Sequence, residues 1–188
     1  MGFGLLFVGY LLAFGFTSGA NYLLSLVALV GCTFIFAATK KLSQYEKSFN
    51  YCKATAIILG VSYIFNTGVQ LCNQYDLISS DNIIIKFARV FIIISVFVYN
   101  LFMYRAIFRI AHSVDDKKLC KDALINFVLM VAYYFSMSLT FLSSYISLAA
   151  SILAVVWLIL SVWLTLSAYM RICLPGDEDM PDKKISNK

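Results

Sequence analysis

Long apolar stretches alternate with short polar segments along the chain, and the apolar stretches are almost free of ionisable groups. Such runs predict membrane-spanning helices, because about 20 apolar residues in a helix cover the roughly 30 Å hydrocarbon core. Six fit, at about 2–20, 22–39, 54–72, 83–104, 123–142 and 148–170, with a polar tail over 171–188. Gly2 to Thr39 as one helix would run about 57 Å at 1.5 Å per residue, so the chain must turn within it. Thr17-Ser18-Gly19-Ala20-Asn21 is the polar cluster available there, and its composition suits a tight turn. Lys40 to Lys53 and Asn73 to Asn82 are the next connections. Span four is expected to continue as helix through Arg105 and Arg109, whose long stems reach back to the interface. Val114-Asp115-Asp116 is the next break, with Asp115 or Asp116 placed to cap the following helix. Lys117, Lys118 and Lys121 then occupy its exposed first turns, and Ser143 to Ser147 is a charge-free turn. The predicted fold is an all-α polytopic membrane domain of three helical hairpins.

Composition points the same way. Of 188 residues, 61% are hydrophobic and 13% charged, and the mean hydropathy is +0.83. Soluble domains carry about one-quarter charged residues. Six spans with short connections leave no room for a separate soluble domain. No basic residue precedes the first run, so it lacks the charged n-region of a secretory signal peptide and reads as a retained span.

The basic residues orient the chain. Lys40 to Lys53 holds four, Arg105 to Lys121 five and the tail four, which together are 13 of the 15 present. Positive residues near span ends stay in the cytoplasm, so both termini are expected inside. Every basic segment then falls on the cytoplasmic side. Topology thus accounts for the net charge of +5 without nucleic acid as a partner. Membrane lipid is the expected partner, and the basic connections can attract anionic lipid at about 1 kcal/mol per residue. Tyr22, Tyr45, Tyr51, Tyr75, Tyr104, Tyr145 and Tyr169 fall near span ends, where amphipathic rings anchor.

Little in the inventory suits catalysis. All ten carboxylates lie in connections or the tail, so no intramembrane acid pair is available for an aspartyl protease or a buried proton carrier. His112, the single histidine, is expected on the cytoplasmic side, which leaves a membrane-embedded serine without a base. No HExxH or P-loop pattern occurs. The five cysteines, at 32, 52, 72, 120 and 173, form no CxxC pair, so free thiols are expected rather than a metal or redox site. Cys52, Cys120 and Cys173 are expected at the cytoplasmic interface, a position open to S-acylation. The chain is read as a non-enzyme with no cofactor.

Polar chemistry inside the membrane concentrates in spans three and four. Ser62, Asn66, Gln70 and Asn73 follow at three- or four-residue steps and share one helical face. Lys86 and Arg89 stand in the outer part of span four, Arg89 roughly 10 Å below the boundary. A cation at the centre of a span costs about 2.5 to 3.5 kcal/mol on the mildest scale, so Arg89 must reach water or a partner, with Asp76 and Asp81 nearest. Two readings stand. In one, Asn66 and Gln70 bond across helices as packing groups while Lys86 and Arg89 snorkel outward. In the other, Asn66, Gln70, Asn73, Lys86 and Arg89 line an outward-facing pocket for a small anionic ligand. Asn100, Asn126, Tyr133 and Tyr134 read as packing residues, and Trp157 and Trp163 as gap fillers or lipid-facing groups. Gly9 and Ala13 form a small-xxx-small pair, suited to internal packing or to docking another membrane subunit.

The opening Met1-Gly-Phe-Gly-Leu-Leu-Phe-Val-Gly-Tyr10 and the closing Arg171-Ile-Cys-Leu-Pro-Gly-Asp-Glu-Asp-Met-Pro181 resemble the two ends of small integral membrane proteins of low-GC Gram-positive bacteria. The resemblance implies a bacterial cytoplasmic membrane and brings no activity with it. In size, span number and inside N-terminus the chain also looks like the substrate-binding S components of energy-coupling-factor transporters. There a small-residue motif of the first helix meets the coupling protein, and Gly9-xxx-Ala13 stands where that motif would. The residue pattern favours a structural or partner-binding membrane subunit, with a substrate-binding uptake subunit as the alternative.

Overall fold

The computed structural model describes residues 2–15, 22–75, 77, 83–140 and 144–172. Among the described residues there are six α-helices: α1 (Gly2–Phe14), α2 (Tyr22–Leu42), α3 (Ser48–Gln74), α4 (Ile83–Ser113), α5 (Lys117–Ser138) and α6 (Ser144–Arg171). Among the described residues there is no strand. Five helices, α2 to α6, are long and apolar enough to cross a membrane. The described part of α1, at 13 residues, extends about 20 Å, less than the hydrocarbon thickness.

Most helices run past the apolar cores that announce them. α2 carries on through Lys40 and Lys41, α3 begins at Ser48 rather than Ala54, and α4 continues through Arg105 and Arg109 to Ser113. Polar residues at a membrane surface do not end a helix, because the backbone ladder is satisfied internally wherever the medium changes. Ser144 to Ser147, expected in a turn, instead begin α6, and α5 stops at Ser138 instead of reaching Leu142. Leu139 and Thr140 close α5 with i→i+3 backbone bonds to Ser136 and Met137. The expected turn at Thr17 to Asn21, the acids Asp76 and Asp81, and the tail with Cys173 lie outside the described residues.

The helices divide between two compact units, Met1–Met103 and Tyr104–Lys188. In the first, α1 crosses α2 at backbone contact. A Cβ on Gly9 would stand 2.7 Å from the Ile35 nitrogen and 2.9 Å from the Gly31 carbonyl oxygen, and a Cβ on Gly31 would run into the Ala13 backbone. Close approach of this kind replaces the hydrophobic effect as the force between helices in lipid. α3 joins the pair through Tyr63, whose hydroxyl donates to the Ala13 carbonyl at 3.1 Å, and through Phe49, set edge-on to Phe3 with centroids 6.2 Å apart. α4 packs along α3 at Val69, Ile85 and Ala88, with Phe65 and Phe87 edge to face beside them.

In the second unit a three-residue connection reverses the chain between α4 and α5. Asp115 takes a positive φ of 54°, a conformation that Asp tolerates better than most side chains. The next residue, Asp116, caps α5 by accepting from the Leu119 N–H at 3.1 Å. Of the two acids expected there, Asp116 is therefore the cap. It is also ion-paired with Arg171 at the end of α6, 3.4 Å away, so one carboxylate joins two helix ends.

Candidate functional site

Gln70, at the centre of the polar face of α3, is turned towards α2. The Ser25 hydroxyl donates to its side-chain oxygen at 3.3 Å. Ser62 is buried and donates back to the Leu59 carbonyl of its own helix at 2.7 Å, while Asn66 and Asn73 are half-buried. On α4, Lys86 and Arg89 are exposed, on either side of the buried Ala88. Between these two groups runs the apolar seam of Val69, Ile85 and Ala88. The arrangement ties Gln70 to a neighbouring helix and leaves both cations at the surface of the unit. Gly9 and Ala13 face α2 at the Gly31 crossing.

Asn100 has a long-range partner. Its Oδ1 accepts from the Tyr10 hydroxyl at 2.9 Å, and its Nδ2 donates to the Val96 carbonyl at 2.9 Å. Tyr10 and Asn100 are both fully buried. An amide with both ends bonded in this way ties α1 to α4 without leaving a polar atom in hydrocarbon. Beside this bond the Phe14 ring stacks on Tyr99, centroids 6.1 Å apart.

Among the described residues the longest polar run lies in the second unit, where the sequence alone assigns Asn126 a packing role and Tyr104 an anchoring one. The Trp157 indole N–H donates to the Tyr104 hydroxyl at 2.7 Å, and that hydroxyl meets Ser161 Oγ at 2.6 Å. Ser161 has one proton for two acceptors, the Trp157 carbonyl oxygen at 2.7 Å and Asn126 Oδ1 at 3.1 Å. The Asn126 Nδ2 closes the run on the Asp122 carbonyl at 2.9 Å. Because an indole can only donate, Tyr104 accepts from Trp157, and either hydroxyl can be the donor between Tyr104 and Ser161. Tyr133 stacks on Trp157 with centroids 5.5 Å apart, and Tyr134 meets the same indole edge-on at 6.2 Å. Tyr104 is thus not an interfacial anchor but a buried junction, 2% exposed. Trp163, by contrast, is exposed.

These groups are well supplied with partners. Cys32, Cys52, Cys72 and Cys120 are free thiols, and Cys52, expected at the interface, is buried. Among the described residues no cluster of three His, Cys, Asp or Glu side chains stands where a metal ion would fit. What the arrangement does chemically is hold helices together. Comparison with protein-family models, with curated proteins and with solved structures returns no match.

Proposed function

We propose that this chain is a multi-pass protein of a bacterial cytoplasmic membrane, crossing it six times with both ends in the cytosol, and that it serves as a structural or partner-binding subunit without catalysis of its own. The bond from Ser25 to Gln70 is the observation that carries this reading. It uses the central group of the only polar face in α3 as a strut to α2, as do the bonds from Tyr10 to Asn100 and from Ser161 to Asn126. Outward, the helices present apolar side chains such as Val61, Ile94, Phe135, Ile159 and Trp163. Lipid or another membrane protein covers such a surface without cost.

An anion-binding uptake subunit would ask more of the chain. Gln70 would have to leave Ser25 and turn towards Arg89, and Gly9 and Ala13 would have to meet a coupling protein with a face already engaged by Gly31. Extraction in mild detergent followed by mass spectrometry distinguishes the two. The subunit reading expects one membrane protein to copurify in fixed stoichiometry, without a bound metabolite. A retained anionic small molecule together with an ATPase module contradicts it in favour of uptake.

A further inference from the structure

The inward face of α3 changes character part way along. Thr55, Leu59, Ser62, Asn66, Gln70 and Asn73 follow one another at steps of three or four residues and so share that face. Thr55, Leu59 and Ser62 are buried, whereas Asn66, Gln70 and Asn73 are half-buried. The change falls where α1 stops. The Ala13 carbonyl accepts from Tyr63 at 3.1 Å, and α1 ends one residue later at Phe14, so α1 lies against α3 up to about the level of Tyr63. Asn66 stands three residues farther on, about 4.5 Å along the axis. It is still eight residues, about 12 Å, from the end of α3 at Gln74.

At that depth a side-chain amide needs a partner, because hydrocarbon supplies none. Among the described residues no group bonds the Asn66 amide. The Gln70 side chain uses only its oxygen, which takes the Ser25 proton at 3.3 Å. One helical turn of α3 therefore holds two N–H donors and a carbonyl on Asn66 and two N–H donors on Gln70. Their complement is a carboxamide, which can exchange a pair of bonds with Asn66 and accept from Gln70 with the second lone pair of its oxygen. A hydroxyl, with one proton, cannot match the set. A carboxylate would carry a bare charge into the membrane.

We propose that Asn66 is where this chain bonds an Asn or Gln side chain on a transmembrane helix of a partner subunit, with Gln70 as the second donor. The partner's helix continues the seat that α1 occupies against α3 nearer its N-terminus, so the contact extends an interface the fold already uses. A second copy of the chain cannot supply the side chain through its own Asn66. Gln70 and Val69 flank that amide at about 40° and 60° round the helix, the first bonded to α2 and the second packed on Ile85 and Ala88 of α4. In two copies both amides are thus recessed and do not meet. The contact rests on the partner-binding reading and names the chemistry of the partner.

The test uses the full chain in phosphatidylcholine vesicles with two leucine-based transmembrane peptides, identical except that one carries a single Asn about 12 Å from its outer end. Energy transfer from labelled chain to labelled peptide gives both affinities. The Asn peptide is expected to bind wild type about three- to eighteenfold more tightly than the all-leucine peptide, the range of a hydrogen bond between membrane helices. Asn66→Leu should remove that advantage. Without peptide the same variant should melt no lower than wild type, since it deletes an amide that no described residue bonds. Absence of the advantage in wild type, its survival in Asn66→Leu, or a lower melting temperature for that variant would each overturn the contact. A wild-type chain that copurifies with no membrane protein would overturn the subunit reading and the contact with it. A copurifying subunit, with equal affinity for the two peptides, would keep the subunit reading and overturn the contact alone.

Discussion

The Trp157 side chain hands its only polar hydrogen to Tyr104, 2.7 Å away, so two of the largest side chains in the second unit meet through a hydrogen bond. The Tyr104 hydroxyl is the middle of the run, accepting from Trp157 on one side and bonded to Ser161 on the other. Removing it strands the donor of a buried indole.

Tyr104→Phe should therefore destabilise the second unit by about 1–2 kcal/mol, and Ser161→Ala by a similar amount. Hydrogen bonds between membrane helices couple by about 0.6 kcal/mol on average and up to roughly 1.7. A double-mutant cycle on this pair, followed by thermal unfolding in micelles, should fall in that interval. Strict additivity would show that the contact contributes nothing.

The glycines separate packing from propensity. Gly31→Ala sets a methyl group against the Ala13 backbone, and Gly9→Ala sets one 2.7 Å from the Ile35 nitrogen. Each should cost about 1–3 kcal/mol through overpacking. Gly68→Ala meets nothing within 4 Å and should be neutral or stabilising by up to about 1 kcal/mol, the gain in helix propensity. Thermal stability of the three variants, measured side by side, checks the order.

Much of this was legible in the sequence, but unevenly. The six helices, the cap offered by the Asp115-Asp116 pair and the exposed lysines of α5 follow from apolar run length and from where charges cluster. The partners do not. In lipid the outward face of a helix is as apolar as the packed face, so periodicity gives little indication of which side meets a neighbour. Tyr10 and Asn100 are 90 residues apart, and no local pattern joins them. Gly9 and Ala13 stood out as a small-residue pair, yet Gly31, which receives them, was a lone glycine in an apolar run. Trp157 carried one usable signal: an indole far from either interface needs a partner for its N–H.

Asp116 makes two kinds of bond that substitutions can pull apart. Asp116→Asn keeps an oxygen for the Leu119 N–H and loses the ion pair, whereas Asp116→Ala loses both. Since Arg171 is 38% exposed, solvent screens the pair and the cap dominates. The expected order of loss is Ala above Asn, with the cap accounting for about 1 kcal/mol. Equal melting temperatures for the two variants would assign no role to the cap.

Arg89→Ala addresses the uptake alternative. Arg89 is exposed and flanks the apolar seam, so the substitution should leave both the yield of folded protein and the copurifying subunit unchanged. If a bound anion disappears from the purified protein instead, Arg89 belongs to a binding pocket.

All of these expectations assume that lipid surrounds the helices and that the basic connections face the cytosol. The direct measurement replaces the native cysteines with serine and adds one thiol at a time, Ile78→Cys or Lys118→Cys, in intact cells treated with a membrane-impermeant maleimide. Labelling at residue 78 and protection at residue 118 until the membrane is opened is the predicted result. Protection at 78 with labelling at 118 would contradict the account.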